Sequence, residues 1–284
     1  MQPKFTKQLR QALPHLLLVP VAIVTLYPVL YVVKLAFSGT GGVSSSPWPW
    51  PDQANLDAFS AVVSRSDAQG HWLFGRQLLN SVVISLATTL LGIALACTAA
   101  YGFARFEFPG RRAGLLGFLA TQMFPGILTM IPLYVLMQKL GLLDSMTGLV
   151  LVYATTAIPF CTWTLKGYFD TLPKEIEESA VIDGATRLQI FWRIILPLSA
   201  PAIAVTALFS FMTAWNEFVL AYTFLSRETA YTLPVQIRNY VGDKDVQWSL
   251  FAASSLIVSL PVMGLFYALE KHLVGGLTAG GVKG

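Results

Sequence analysis

Hydrophobic positions in this chain come in long blocks, without alternation or a heptad repeat. Five stretches hold no Asp, Glu, Lys or Arg: Gln11–Val33, Gln77–Ala104, Ala113–Gln138, Ser145–Leu165 and Val246–Leu269. A sixth, Ile194–Ser226, is interrupted once, by Glu217. A helix rising about 1.5 Å per residue needs roughly 20 apolar residues to cross a hydrocarbon core about 30 Å thick. Every block is long enough. The pattern therefore predicts an all-α polytopic membrane protein with six transmembrane helices. Trimmed to their apolar limits, the spans are 14–36, 78–102, 114–138, 147–166, 198–222 and 250–270, in a single transmembrane domain over 1–284.

The first block follows Lys4, Lys7 and Arg10, as a secretory leader would. It is longer than a leader core, and no A-x-A-type cleavage site follows it, so it reads as an uncleaved anchor. Met123-Phe-Pro125-Gly126 and Ile131-Pro132 interrupt span three and predict a kink there, because proline removes a helix donor and clashes with the preceding turn.

Composition agrees with a membrane solvent. Of 284 residues, 55% are hydrophobic and 12% charged, where a soluble domain carries about 25% charge. Disordered chains and ordinary soluble enzymes are excluded. The net charge of +4 is unevenly placed. With the N-terminus inside, the inner segments hold twelve cations: Lys4, Lys7, Arg10, Arg105, Arg111, Arg112, Lys166, Lys174, Arg187, Arg193, Lys271 and Lys283. The outer segments hold seven: Lys34, Arg65, Arg76, Lys139, Arg227, Arg238 and Lys244. Cytoplasmic loops carry the Lys/Arg excess, so both termini are expected in the cytoplasm. The basic balance is a statement about topology, and no nucleic-acid partner is expected. Cys97 and Cys161 both fall within spans, where apolar packing is the expected role.

The first outer loop contains Ser46-Pro47-Trp48-Pro49-Trp50-Pro51, which cannot be a regular helix. Its tryptophans suit a membrane interface or an external partner. The inner loop 167–197 is more informative. Pro173 reads as a first helical residue, with Glu175, Glu177 and Glu178 at the helix start, where the dipole favours anions. Gly184 is a natural stop, and Thr186 can cap a second helix. Leu188, Phe191 and Ile195 share one face, with Ile190 and Ile194 beside it, and Pro197 marks the turn into span five. The loop is a helix–turn–helix at the inner surface. Its apolar stripe fits two uses: resting on lipid, or docking into a cleft on a protein.

Glu178-Ser-Ala-Val-Ile-Asp183-Gly184-Ala185, followed by Leu196-Pro197 and Pro201, resembles the EAA loop of binding-protein-dependent ABC importers. That pattern runs E-A-A-x-x-D-G-A, then about ten residues, then L-P. Ser179 departs from the usual alanine but is also small. Trp215-Asn216-Glu217-Phe218 is similar to carbohydrate-importer permeases, and the tail Gly275–Gly284 resembles that of MalG-like permease subunits. The likeness covers essentially the whole chain.

The resemblance implies a translocation subunit and no enzyme. It would move a di- or oligosaccharide, maltose- or maltodextrin-like, into the cytoplasm by alternating access. Permeases for other carbohydrates, such as trehalose, share these motifs. No cofactor is expected on this chain; ATP and Mg would sit on a partner ATPase dimer. The other implied partners are a second, MalF-like membrane subunit, an extracytoplasmic sugar-binding protein, and the bilayer of a bacterial inner membrane. ATPase coupling would fall to Glu178, Ser179, Ala180, Asp183, Gly184, Ala185, Leu196 and Pro197.

Elsewhere the candidate residues divide by place. Glu217, the one acid deep in a span, must face a cavity or find a partner. It is a candidate for pathway lining or gating with Asn216 and Pro125; a structural glutamate hydrogen-bonded to Asn216 or a neighbouring helix is the other reading. In the outer loop 226–248, Tyr231, Pro234 and Tyr240 are candidates for contact with the binding protein. In the tail 271–284, Gly280, Gly281 and Lys283 are candidates for contact with the ATPase interface. The chain itself lacks a nucleotide-binding loop: Gly276-Leu-Thr-Ala-Gly-Gly-Val-Lys has no G-K-S/T. A secondary transporter would show internal repeats and coupling-ion residues. A membrane enzyme would cluster polar residues at one face. Neither pattern stands out.

Overall fold

The structure, a computed structural model, describes residues 4–39, 46–242 and 246–280, with side chains described from 14 to 270 within those segments. In chain order the helices are α1 (Lys4–Phe37), α2 (Asp57–Val63), α3 (Leu73–Arg105), α4 (Arg111–Met123), α5 (Gly126–Lys139), α6 (Met146–Thr171) and α7 (Lys174–Ile182). Then follow α8 (Arg187–Ile190), a π-helical turn (Phe191–Ile195), α9 (Leu196–Leu198), α10 (Ala200–Asn216), α11 (Val219–Phe224), α12 (Leu233–Arg238) and α13 (Trp248–Gly280). Four helices are long and apolar enough to cross a membrane, α1, α3, α6 and α13; the number is six if two bent pairs each count as one span.

The first of those bent pairs interrupts an expected span, while the second bends at the expected entry to span five. α4 and α5 meet at 99° across Phe124 and Pro125, both in extended backbone, so the expected kink is a full break. In the second pair, Arg187–Leu198 meets α10 at 77°. The turn lies at Ser199, whose φ of −94° and ψ of 5° leave the helical basin. Pro197 sits two residues earlier, inside α9. The fifth span, expected over 198–222, breaks within itself: α10 ends at Asn216, and Glu217 (ψ 127°) separates it from α11.

The chain forms two compact units, each described by itself. The first comprises 1–74 and 237–259. In it α1 exposes its apolar length, with no buried residue in its most hydrophobic window. The Lys34 ammonium is fully buried and donates to the carbonyls of Ser46 (2.7 Å) and Trp48 (2.8 Å). That pins the Pro/Trp loop while Trp48 and Trp50 stay exposed.

The second unit comprises 75–236 and 260–284. It holds two buried clusters. One joins Ala96, Ala100 and Ala104 of α3 to Ala157, Cys161, Leu165 and Phe169 of α6. Both series recur every four residues, so each forms a single stripe. Small residues on the α3 stripe let two membrane helices approach closely. The other cluster joins Ile84, Met137, Leu149, Tyr153, Ala214 and Phe224. At the start of α6, Gly148 lies so near the Leu142 carbonyl that a Cβ would come within 2.2 Å of its oxygen.

Candidate functional site

The inner loop folds as the helix–turn–helix expected from its residues, with one shift at the start. Pro173 is the residue before α7, extended at ψ 131°, and not its first helical residue. Gly184 ends the turn in the left-handed region at φ 84°, where a Cβ is penalised. Thr186 begins the second arm with a capping box: its hydroxyl accepts from the Gln189 N–H, while the Gln189 side chain accepts from the Thr186 N–H at 2.8 Å.

The apolar stripe behaves differently from its expected use. Ile190, Phe191 and Ile195 are buried in the α3–α6 cluster, so this face is consumed inside the chain. Leu188 lies about 200° around the helix from Ile190 and is 67% exposed. The π-helical turn then sets Ile190 and Ile195 five residues apart on one side. What faces outward is another surface: Val181, Ile182, Leu188 and Trp192 are exposed, Ile182 at 85%. Glu178, Ser179, Asp183, Gly184 and Pro197 are exposed beside them, and Ala180, Ala185, Leu196 and Pro201 are half-buried.

One residue of this loop carries more of its geometry than its sequence position indicated. Glu177 is buried, although it stands among solvated acids. Its carboxylate accepts from Arg105 Nε through one oxygen and from the Tyr101 hydroxyl at 3.0 Å through the other. Arg105 also donates to the Leu172 carbonyl at 3.1 Å. The Arg105 and Glu177 side chains are only 5% and 6% exposed. The available signal was register: Arg105 sits one turn after Tyr101 at the end of a span, where a charge must find a partner. A cavity of about 300 Å³ opens beside the pair, edged by Lys174, Glu178, Val181, Ile182 and Arg187.

Glu217 is hydrogen-bonded, but not to Asn216, whose side chain turns back to the Met212 carbonyl. The Glu217 carboxylate accepts from the Tyr153 hydroxyl at 2.7 Å and from the Leu220 and Ala221 N–H groups at 2.9 and 3.1 Å. It caps α11 and ties the broken helix to α6. Pro125 is exposed at the separate α4–α5 break.

In the outer loop, α3 supplies a polar clamp that the sequence did not single out. Asn80 donates to the carbonyls of Thr229 and Tyr231, both at 3.0 Å. Gln77 donates to the Glu228 carbonyl at 3.1 Å, and the Ser81 hydroxyl accepts from the Leu233 N–H at 2.8 Å. Tyr231 and Pro234 are half-buried on this held segment. Burial raises the Tyr231 phenol above its ordinary value. Tyr240 is buried in the other unit, with the Arg65 guanidinium 5.8 Å from its ring centre. Of the tail candidates, Gly280 ends α13, while Gly281 and Lys283 lie outside the described residues.

Residues 88–275 match a family profile described as the binding-protein-dependent transport system inner membrane component. The chain belongs to this family. This permease subunit is similar to the galactooligosaccharides transport system permease protein GanQ of Bacillus subtilis (strain 168), at 38% identity over 99% of this chain and 98% of the relative. The maltodextrin transport system permease protein MdxG of the same organism is 34% identical over the full length of both. The maltose/maltodextrin transport system permease protein MalG of Yersinia pestis is 34% identical over 100% and 96%. A solved bacterial ABC transporter for import of the acidic polysaccharide alginate shares the fold, with a TM-score of 0.78 at 22% identity over 94% and 98% of the two chains. The permease is a translocation subunit of an ABC importer, with ATP hydrolysis on a separate subunit.

Proposed function

We propose that this permease subunit carries a neutral di- or oligosaccharide of the maltodextrin or galactooligosaccharide type across a bacterial inner membrane. The substrate class rests on near full-length relatives whose names specify such sugars. In this reading α4 with α5 is one span and α10 with α11 another, giving six, and both termini lie in the cytoplasm, as the twelve-to-seven division of cations favours. A second, MalF-like subunit completes the pathway. A soluble binding protein delivers sugar at the outer side, where α3 holds the Tyr231–Pro234 segment. An ATPase dimer carrying ATP and Mg docks below.

The observation that carries the mechanism is the hairpin's division of faces. Ile190, Phe191 and Ile195 root it in the α3–α6 cluster, while Glu178 and Ile182 are exposed. A rooted hairpin with an exposed acid and apolar edge can enter a cleft on another protein and pass motion back to the spans. Glu178 would meet a basic group there in a charge-assisted hydrogen bond. Asp183, Gly184 and Ala185 keep the turn in shape.

Reconstitution of the whole complex with its binding protein, and ATPase assay across a sugar panel, tests the substrate class. Stimulation by malto- or galactooligosaccharides is expected; a panel without any response sinks it. Glu178→Lys is expected to insert normally yet lose most sugar-stimulated ATPase activity and transport. Unchanged transport in that variant removes Glu178 from coupling.

A further inference from the structure

α7 has little of its own to hold it. Leu172 and Pro173, which join it to α6, are extended (ψ 129° and 131°), so helical hydrogen bonding does not run through the junction. No apolar residue of α7 is buried in the α3–α6 cluster; Ala180 alone packs against it, partly buried. Ile176, Val181 and Ile182 are exposed. The element that would receive a push is therefore joined to the α3–α6 cluster at its far end by the Gly184 turn and Ala185, and directly to α3 through Glu177. That joint is directional: Arg105 reaches both Glu177 and the Leu172 carbonyl, and Tyr101 holds the second carboxylate oxygen. Apolar packing alone would let a short helix slide or tilt, whereas charge-assisted hydrogen bonds fix distance and angle. A buried ion pair is commonly no more stabilising than an apolar pair of the same volume. Geometry, not stability, is the reason for a pair here.

We infer that Arg105 and Tyr101 act through Glu177 as positioning residues for transport. The buried pair makes α7 and the inner end of α3 one rigid body, so displacement of the hairpin reaches the α3–α6 pair and is not absorbed at Leu172–Pro173. The inference rests on the reading of the hairpin as the ATPase contact. It assigns a mechanical role to residues outside the exposed edge that would make that contact.

The test uses the full complex in lipid, with Arg105→Met/Glu177→Leu, which removes both charges together and leaves no orphaned ion. Co-purification of the ATPase, thermal melting and sugar transported per ATP hydrolysed are measured side by side. Spin labels at Leu95 on α3 and Ile176 on α7, both exposed and outside the proposed docking edge, with Cys97 and Cys161 replaced by alanine, report the α3–α7 distance. Assembly and melting are expected to match wild type, while sugar per ATP falls about threefold or more, within the range that mutations in connecting networks produce. The distance distribution broadens in parallel.

A wild-type ratio with an unbroadened distance overturns the inference and leaves the pair purely structural. Should the double variant fail to assemble, Glu177→Gln is read the same way. Its amide oxygen still accepts from Arg105 while its NH2 faces the Tyr101 hydroxyl, so one of the two bonds is kept without charge assistance; an intermediate ratio is expected, and wild-type values overturn the inference equally. Failure of the coupling reading looks different: Glu178→Lys transports normally, whatever the distances show.

Discussion

Gly184 and Gly148 look alike in the sequence and are needed for different reasons. Gly184 sits at φ 84° with open space where a Cβ would go. Its constraint is conformational, so Gly184→Ala is expected to cost about 1–2 kcal/mol, and Gly184→Asn less, because asparagine visits this region more readily. Gly148 has helical backbone but no room: its Cβ would meet a backbone oxygen at 2.2 Å. There Asn should be worse than Ala, and both worse than at 184. Melting of the purified protein in detergent ranks the four variants, and equal effects of Ala and Asn at 184 would contradict the assignment. Single substitutions at the buried pair belong to the same scale. Glu177→Ala strands the Arg105 guanidinium and is expected to cost about 3–5 kcal/mol, while the matched double variant is near neutral. Gly184 was legible in the sequence because an Asp-Gly turn is a local signal. Gly148 and Glu177 were not, since each is defined by a partner distant in the fold or by a turn of backbone that no pattern reports.

At the scale of the element, the sequence pattern located every long apolar block but not its continuity. Hydropathy measures solvent preference, and a break buried within a span leaves that average unchanged. Proline was a partial guide. Pro125 marks a 99° break, yet α1 runs unbroken through Pro14, Pro20 and Pro28, α6 through Pro159 and α13 through Pro261. The break after Asn216 has no proline; it is organised by an acid. Glu217 accepts two backbone N–H groups at the start of α11 and one hydroxyl from α6. Glu217→Ala should leave the two amides without their acceptor and cost about 1–3 kcal/mol. Tyr153→Phe should cost less, because the capping bonds remain. A melting temperature unchanged by Glu217→Ala would refute the capping role. The apolar stripe of the inner loop shows the same limit: its residues were legible as apolar, but the face they occupy depends on a π-helical turn that periodicity does not reveal.

For the whole molecule, class was readable early because bilayer thickness and charge placement act on the entire chain at once. Substrate was not, because relatives whose names specify galactooligosaccharides and maltodextrins are 38% and 34% identical to this chain, so the motifs report the transporter class and not the sugar. Burial rises over the first three long helices: the most apolar window of α1 is 0% buried within the protein, that of α3 33% and that of α6 56%, before α13 falls back to 28%. Membrane helices can insert singly and pack afterwards, and synthesis delivers them from the N-terminus. The gradient is therefore also a schedule. α1 can leave the translocation channel without waiting for any later segment. α6 closes on α3 when it emerges, but the cluster around Tyr153 stays open until Ala214 and Phe224 have been made. A nascent chain halted shortly before Ala200 would hold its first spans in lipid with that cluster unfilled, so the late segments decide when the permease becomes resistant to quality-control proteases.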